Sequence, residues 1–302
     1  MADDLVLDTK PIAAGTCRRL TPLVRRIVAN NPGPVTFTGT CSYIVGQGRV
    51  AIIDPGPDRP EHVKALLEAV RGETVSHVLI SHTHRDHSPA ARLIHAATGA
   101  VLVGCSEHRE ARPLAVGEEN VLEASTDRDY APHRQLHEGD AVEGPGWRLV
   151  AVETPGHMAN HLAFALPQER ALFSADHVMA WSTTVVAPPD GSMSAFMASL
   201  EKLRGREETV YWPGHGGPVR DPQRFVRALI HHRRQRESSI LNRLAAGDRT
   251  IPAIVAAIYQ GVNPALVGAA GLSVFAHLED LVARGLVTTE GAPSLMGAYR
   301  LA

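Results

Sequence analysis

The segment ISHTHRDHSPA, residues 80–90, places His82, His84, Asp86 and His87 within six positions. Imidazole nitrogen and carboxylate oxygen are the donors that zinc and related borderline divalent ions take, at roughly 2 Å. Four of them so close together can reach a metal without a long loop. A polar turn with Asp86 capping the following helix accounts for one such residue, but packing gives no reason to concentrate imidazoles. If the backbone stays extended as it leaves the preceding strand, alternation sends His82 and His84 to one side, while Asp86 and His87 fall after the turn. Two pairs pointing differently suit two metals better than one.

The patterns on either side of this segment set its place in the fold. Val75–Ser81 reads as a short apolar strand, and Pro60–Val70 and Ser88–Ala97 carry helical apolar spacing, so the crowded histidines lie between a strand and a helix. Upstream, VTFTGTCSYIVGQGRVAIID at residues 35–54 reads as a strand meander ending at Asp54-Pro-Gly. Downstream of a charged stretch at 106–135, strands are expected at Arg148–Glu153, His161–Ala165, Ala171–Ser174 and Thr209–Trp212, with a helix over Ser192–Leu203 capped near Ser192. Strands and helices alternate up to about Val219, which argues for a layered α/β body over residues 1–220.

From Asp221 the character changes. A long helix is expected over Asp221–Ala246, followed by shorter helical patterns, a helix and strand within Ser273–Glu290 and a last strand near Gly297–Leu301. That order suits a winged-helix module, giving a second unit at 221–302.

Three further donors follow strand-like runs: His157 in VETPGHMANH, Asp176 in LFSADHV and His215 in VYWPGHGG. Each alone is an ordinary turn histidine or cap; they gain meaning together with the first four. His161 and His177, close neighbours of His157 and Asp176, read as structural residues, and Tyr211 and Trp212 as core strand residues. Trp181, Ser182, Thr183 and Thr184 follow Asp176 closely enough to shape a cleft, although a packed Trp fits as well.

Composition sets outer bounds. The 302 residues are 44% hydrophobic and 21% charged with a net charge of −2, an ordinary globular balance that points to no polyanionic partner. Cys17, Cys41 and Cys105 are odd in number and widely spaced, which fits buried thiols in a reducing, cytoplasmic setting rather than a disulfide framework. MADDLVLDTK lacks the pattern of a secretory leader, and the sequence reading expects no membrane-spanning run and no membrane partner.

The seven donors, in this order and these contexts, resemble the HxHxDH, His, Asp, His pattern of the metallo-β-lactamase superfamily of hydrolases. The resemblance implies a four-layer αββα sandwich with two metal ions at one edge between the sheets. By it, His82, His84 and His157 hold one ion, Asp86, His87 and His215 the other, and Asp176 bridges them, while Asp54 orients a ligand from behind. Zinc is the implied metal, with manganese or iron suited to the same donors. A metal-bound hydroxide between two cations is acidified toward neutrality and attacks an acyl or phosphoryl centre. Asp86 has a catalytic role beside ligation, orienting that nucleophile or passing a proton.

The segments FSADHVMAWSTTVVAPPDGSM, IHHRRQRESSIL and AHLEDLVARGLV look like the β-lactamase-like protein 2 branch, in which a small winged-helix domain follows the hydrolase body. Two departures stand out: Cys41 in GTCSYIVG where such chains often carry Asn, and Ala175 where they often carry Gly. Neither removes a donor. The expectation is a dinuclear hydrolase of an ester-like or phosphodiester bond, acting on a small ester-like molecule or single-stranded RNA.

Three narrower readings accompany it. Single-stranded RNA cleavage is known in that branch, and residues 221–243 hold six arginines against two acids; Phe225, Val226, Leu229 and Ile230 form an apolar stripe that reads instead as ordinary helix packing. Thioester hydrolysis of the hydroxyacylglutathione type uses the same donors but resembles this chain less beyond them. A winged-helix nucleic-acid-binding regulator is the non-enzymatic reading, opposed by the intact donor set and by Glu279 and Asp280 flanking His277.

Overall fold

The computed structural model describes residues 5–261 and 263–302; the first four residues of MADDLVLDTK lie outside them. Among the described residues, a seven-stranded sheet runs in chain order through β1 (Arg18–Arg19), β2 (Val24–Val28), β3 (Cys41–Gln47), β4 (Arg49–Ile53), β5 (Thr74–Ile80), β6 (Val101–Gly104) and β7 (Arg134–Gln135). Strands β1 to β4 pair antiparallel. From β4 onward the pairing is parallel, with α1 (Pro60–Ala69) crossing from β4 to β5 and α2 (Ala90–Thr98) from β5 to β6.

A five-stranded sheet contains β8 (Ala141–Gly144), β9 (Trp147–Glu153), β10 (Leu162–Leu166), β11 (Ala171–Ala175) and β12 (Val210–Pro213), β8 lying at one edge and β12 at the other. Strands β8 to β11 form antiparallel hairpins, and β12 joins β11 in parallel after α3 (Met193–Arg204). Ser192 caps α3 as the sequence suggests, its Oγ accepting from the Ala195 amide at 3.4 Å.

Strand alternation decides the layering. On β10, Leu162, Phe164 and Leu166 face the core shared with the seven-stranded sheet, whereas Ala163 and Ala165 face the opposite way, toward Phe196, Leu200 and Leu203 of α3. The first core extends to Val63 and Leu66 of α1 and Ile94 of α2. The second takes in Val226, Leu229 and Ile230 of α4 (Pro222–Ala245). Helices therefore cover both outer faces of two packed sheets, the αββα arrangement.

The far end of α4 belongs to a third core. Ile240 and Leu244 pack with Ile251 and Ile254 of α5 (Ile251–Ile258), Phe275 and Leu278 of α6 (Val267–Ala283), and Val287 and Tyr299 of the hairpin β13 (Val287–Thr289) and β14 (Tyr299–Leu301). This is the winged-helix domain. Its α6 is fastened to the body, Ala276 joining the second core and Glu279 accepting from Arg112 Nε at 2.8 Å.

Three expectations need correction. Cys17 is exposed rather than a core thiol, because it precedes the short edge strand β1; Cys41 and Cys105 are buried. Residues 35–40 form turns and isolated bridges, so the expected meander begins only at Cys41. Pro264–Ala283, with a mean hydropathy of 1.4, is long and apolar enough to cross a membrane by length and composition. Half of its apolar window is buried within the molecule, as in the core helix of a folded domain.

Candidate metal centre

Five strand ends converge on one edge of the sandwich. Asp54 follows β4, His82 follows β5, His157 lies four residues past β9, Asp176 follows β11, and His215 lies two residues past β12. Parallel strands carry their carboxyl ends to the same side, and loops leaving them meet there. Residues more than a hundred positions apart thus share one site.

All seven donors anticipated in the sequence are brought together. One group is His82, His84, His157 and Asp176, the other Asp86, His87 and His215, the donor atoms of each lying within 4.8 Å of one another. His84 Nδ1 is 3.0 Å from His82 Nε2 and 3.1 Å from His157 Nε2. In the second group, His215 Nε2 is 3.3 Å from His87 Nε2 and 3.1 Å from Asp86 Oδ2. Asp176 lies between them, Oδ1 at 3.5 Å from His87 Nε2 and Oδ2 at 3.8 Å from His157 Nε2 and 3.3 Å from His215 Nε2.

The partners behind the rings determine where the protons sit. His87 Nδ1 donates to Asp54 Oδ2 at 3.0 Å, His157 Nδ1 to the Val185 carbonyl at 2.7 Å, and His215 Nδ1 to the Gly39 carbonyl at 3.2 Å. Ser81 Oγ donates to Asp54 Oδ2 at 2.7 Å, so it accepts from His82 Nδ1 at 2.9 Å. In the neutral rings this leaves each Nε2 as a lone pair aimed inward, toward other nitrogens and carboxylate oxygens at 3.0–3.8 Å. The single proton available on His84 Nδ1 cannot point at both of its neighbours. Convergent lone pairs of this kind are reconciled by positive charge, and the residues fit bound metal ions.

The titration behaviour says the same. Burial, reinforced by neighbouring imidazoles, holds His82 far below the usual histidine range and His84 at about 3, and burial lowers His157. Burial opposes charge on His87 and His215 as well, but Asp86 and Asp176 outweigh it, raising His87 and pushing His215 up to about 10. Both carboxyls are held well below their ordinary range by those imidazoles despite burial. A proton is the smallest cation that answers this arrangement.

Several supporting residues escaped the sequence reading. Ser81 gives Asp54 both its amide, at 2.8 Å, and its hydroxyl. Thr40 Oγ1 donates to Asp86 Oδ2 at 3.1 Å, and Thr184 Oγ1 to the Asp176 carbonyl at 2.6 Å. Asp54 itself adopts φ = 46°, a left-handed conformation that aims its carboxylate back at Ser81 and His87. No motif marks these contacts; they exist only once the strand ends meet. His161 hydrogen-bonds Thr154 Oγ1 at 2.8 Å and His177 packs on Phe196 at 4.4 Å, so both stay outside the donor groups. Tyr211 and Trp212 are buried in the core.

A cavity of about 260 Å³ opens over the donors. His84, Asp86, His157, Asp176 and His215 form its floor, and Trp181, Ser182 and Thr183 stand on one side, Trp181 stacked 4.9 Å from Phe37. Leu266, Ala269 and Leu272 line it from the winged-helix domain. Among the described residues, no lysine or arginine lines it.

Comparison with known proteins agrees with this geometry. Residues 35–215 match the metallo-beta-lactamase superfamily, and residues 250–294 the beta-lactamase associated winged helix domain. The chain is 32% identical over 232 residues to the beta-lactamase-like protein 2 homolog of Caenorhabditis elegans, covering 74% of this chain and 71% of that protein. It is 31% identical over 261 residues to the atrochrysone carboxyl ACP thioesterase of Passalora fulva, covering 81% and 71%. A metallo-beta-lactamase family protein from Thermus thermophilus shares the fold with a TM-score of 0.74 at 24% identity, over 94% of this chain and 100% of that one.

Proposed function

Since this chain belongs to the metallo-beta-lactamase superfamily and is one of its hydrolases, we propose that it cleaves an ester-like bond, foremost a thioester of an apolar acyl group, with two divalent ions held by the seven donors. The observation that carries this reading is the inward convergence of imidazole lone pairs on two carboxylates beneath a mostly apolar cavity that no lysine or arginine lines among the described residues. His82, His84 and His157 would hold one ion and Asp86, His87 and His215 the second, with Asp176, which lies between the two groups, available to both. Zinc is the ion we assign, and manganese or iron would suit the same set. When bound, the ions supply an acidified water and neutralise charge growing on the carbonyl oxygen.

The protein's own groups do the rest. Asp54 keeps His87 and, through Ser81, His82 in the tautomers that face the site. Asp86, whose side chain is 25% exposed and lines the cavity, takes up and passes on the water's proton. In the net reaction the water oxygen bonds to the acyl carbon, the carbon–sulfur bond breaks, and the proton goes to the leaving thiolate. We take residues 1–220 as the hydrolase body and 221–302 as the appended unit, in a reducing, cytoplasmic setting to which three unpaired cysteines are suited.

Phosphodiester cleavage of single-stranded RNA has less support, for a polyanion needs cations along its path. Arg233 is buried and donates to the Thr184 carbonyl, Arg234 pairs with Glu201 at 3.0 Å, and Arg243 with Asp248 at 2.6 Å. A DNA-binding role for α6 is opposed by its burial, His277 included. The test is a metal-replete panel of thioester, lactone, β-lactam, phosphodiester and single-stranded RNA, with a chelated control and metal quantification. Thioester turnover that disappears on chelation, and in folded His84→Ala and Asp176→Ala proteins, is the expected result. Full activity in either variant would sink the assignment.

A further inference from the structure

A second cavity, of about 690 Å³, lies between α5 and α6 of the winged-helix domain, next to the one over the donors. Leu122 and Leu272 line both, so the two cavities adjoin, one at the floor of the site and one in the C-terminal domain. Ile251, Val255 and Tyr259 form one wall and Val267, Gly268 and Gly271 the other. Among the described residues, no charged side chain lines it. At its outer lip Val121 and Val267 remain 55% and 45% exposed, an apolar rim facing water.

The two glycines are informative. Glycine is the poorest helix former after proline, yet Gly268 and Gly271 both lie within α6 and neither has a positive φ. Packing does not require them either. A Cβ on Gly268 would meet nothing within 4 Å, and one on Gly271 only Ile251 Cγ2 at 3.7 Å. What their lack of a side chain does provide is room in the wall of the cavity.

We propose that this cavity is the binding channel for the acyl chain of the substrate, a long, uncharged hydrocarbon chain whose ester-like carbonyl rests over the donors. The winged-helix domain then acts as a chain-length selector rather than a nucleic-acid reader. The proposal rests on the hydrolase reading above and adds the class of acyl group. Its size falls within the range of pockets that enclose whole small ligands, and each methylene transferred from water into an apolar wall favours binding.

The experiment compares wild type with Gly268→Leu on S-acyl N-acetylcysteamine thioesters from acetyl to dodecanoyl. Wild-type kcat/KM should rise at least tenfold across the series. Gly268→Leu should keep acetyl turnover within twofold, lose at least tenfold on dodecanoyl, and melt no lower than wild type, since leucine is the better helix former. Gly268→Ala, a smaller intrusion, should lose less with the same sign. A flat wild-type series, a loss equal at all lengths, or undiminished dodecanoyl turnover in the variant would overturn the channel. Should no thioester be cleaved by metal-loaded protein, the thioester reading fails separately. Titration calorimetry with dodecanoate then decides the channel: binding weakened tenfold by Gly268→Leu keeps it, and absent or unchanged binding removes it.

Discussion

The floor of the site is made of imidazoles and carboxylates whose donor atoms lie within 4.8 Å of one another in each group, four of the rings held from behind by a carbonyl, a hydroxyl or Asp54, whereas the wall contributed by α6 includes leucine and alanine beside two glycines, one of them with open space around it. At Gly214 the floor has no room for an added methyl group, whereas at Gly268 the wall does. Geometry suited to holding a metal tolerates errors of a few tenths of an ångström, while a surface that only excludes water tolerates much larger ones. Changes in the floor should therefore register in turnover and metal content, and changes in the wall in substrate range and stability.

The strongest way to break this contrast leaves every donor in place. Gly214 joins β12 to His215, and a Cβ there would overlap Asp176 Oδ1 and stand 2.7 Å from His87 Cε1. Gly214→Ala should reduce hydrolysis and metal affinity roughly 10- to 100-fold, the usual effect of disturbing groups that orient ligands. Inductively coupled plasma measurement after dialysis, beside turnover, checks both. A variant with normal metal content and normal rate would mean that the floor is as forgiving as the wall.

The second test concerns imidazoles. Those of the floor have polar partners, but His277 of α6 has none for either ring nitrogen. Burial, followed by Arg233, His232, Arg284 and Arg236 around it, lowers His277 to about 3. The unfolded chain protonates this ring near 6.5, whereas the folded one keeps it neutral to about 3. Stability is thus unaffected above pH 6.5 and falls as pH drops from there toward 3. At pH 4.5 this one residue accounts for roughly 2–3 kcal/mol of lost stability. His277→Leu should melt at least as high as wild type at pH 8 and lose distinctly less between pH 7 and 4.5. Parallel slopes for the two proteins would show that His277 titrates normally.

How far the sequence revealed this contrast follows from the physics of each side. Donors are chemically rare in a core, so His82, His84, Asp86 and His87 announce themselves by density, and His157, Asp176 and His215 by their position after apolar runs. The helices and most central strands follow from period and caps. Ser81 and Thr40 were missed because a hydroxyl is ordinary anywhere, and its meaning here comes from a partner tens of residues away. The wall was missed for a different reason: Leu122, Leu266 and Leu272 look like any core residues, and only the packing of α6 against the body makes them the side of a cavity. β2 was overlooked because VRRIV places two arginines mid-strand, breaking apolar alternation even though Arg26 is buried.

The smallest effect is expected at Ala175. This last residue of β11 has φ = 43°, a left-handed conformation that glycine adopts without strain. For an L residue this region costs about 1–2 kcal/mol, and replacement by glycine relieves it while freeing the unfolded chain by about 0.4–1 kcal/mol in the opposite direction. The two nearly cancel. Ala175→Gly should therefore change stability by less than about 1 kcal/mol and leave turnover intact, because Gly214 still donates to the residue 175 carbonyl at 2.9 Å. A β-branched residue lacks that escape, its Cβ substituents crowding the backbone at positive φ. Ala175→Val should lose more stability than the glycine variant gains, and lose turnover with it as Asp176 shifts. Denaturant melts of the three proteins decide this, and a valine variant as stable and active as wild type would show that the strand end beneath Asp176 is not held in the conformation on which the floor depends.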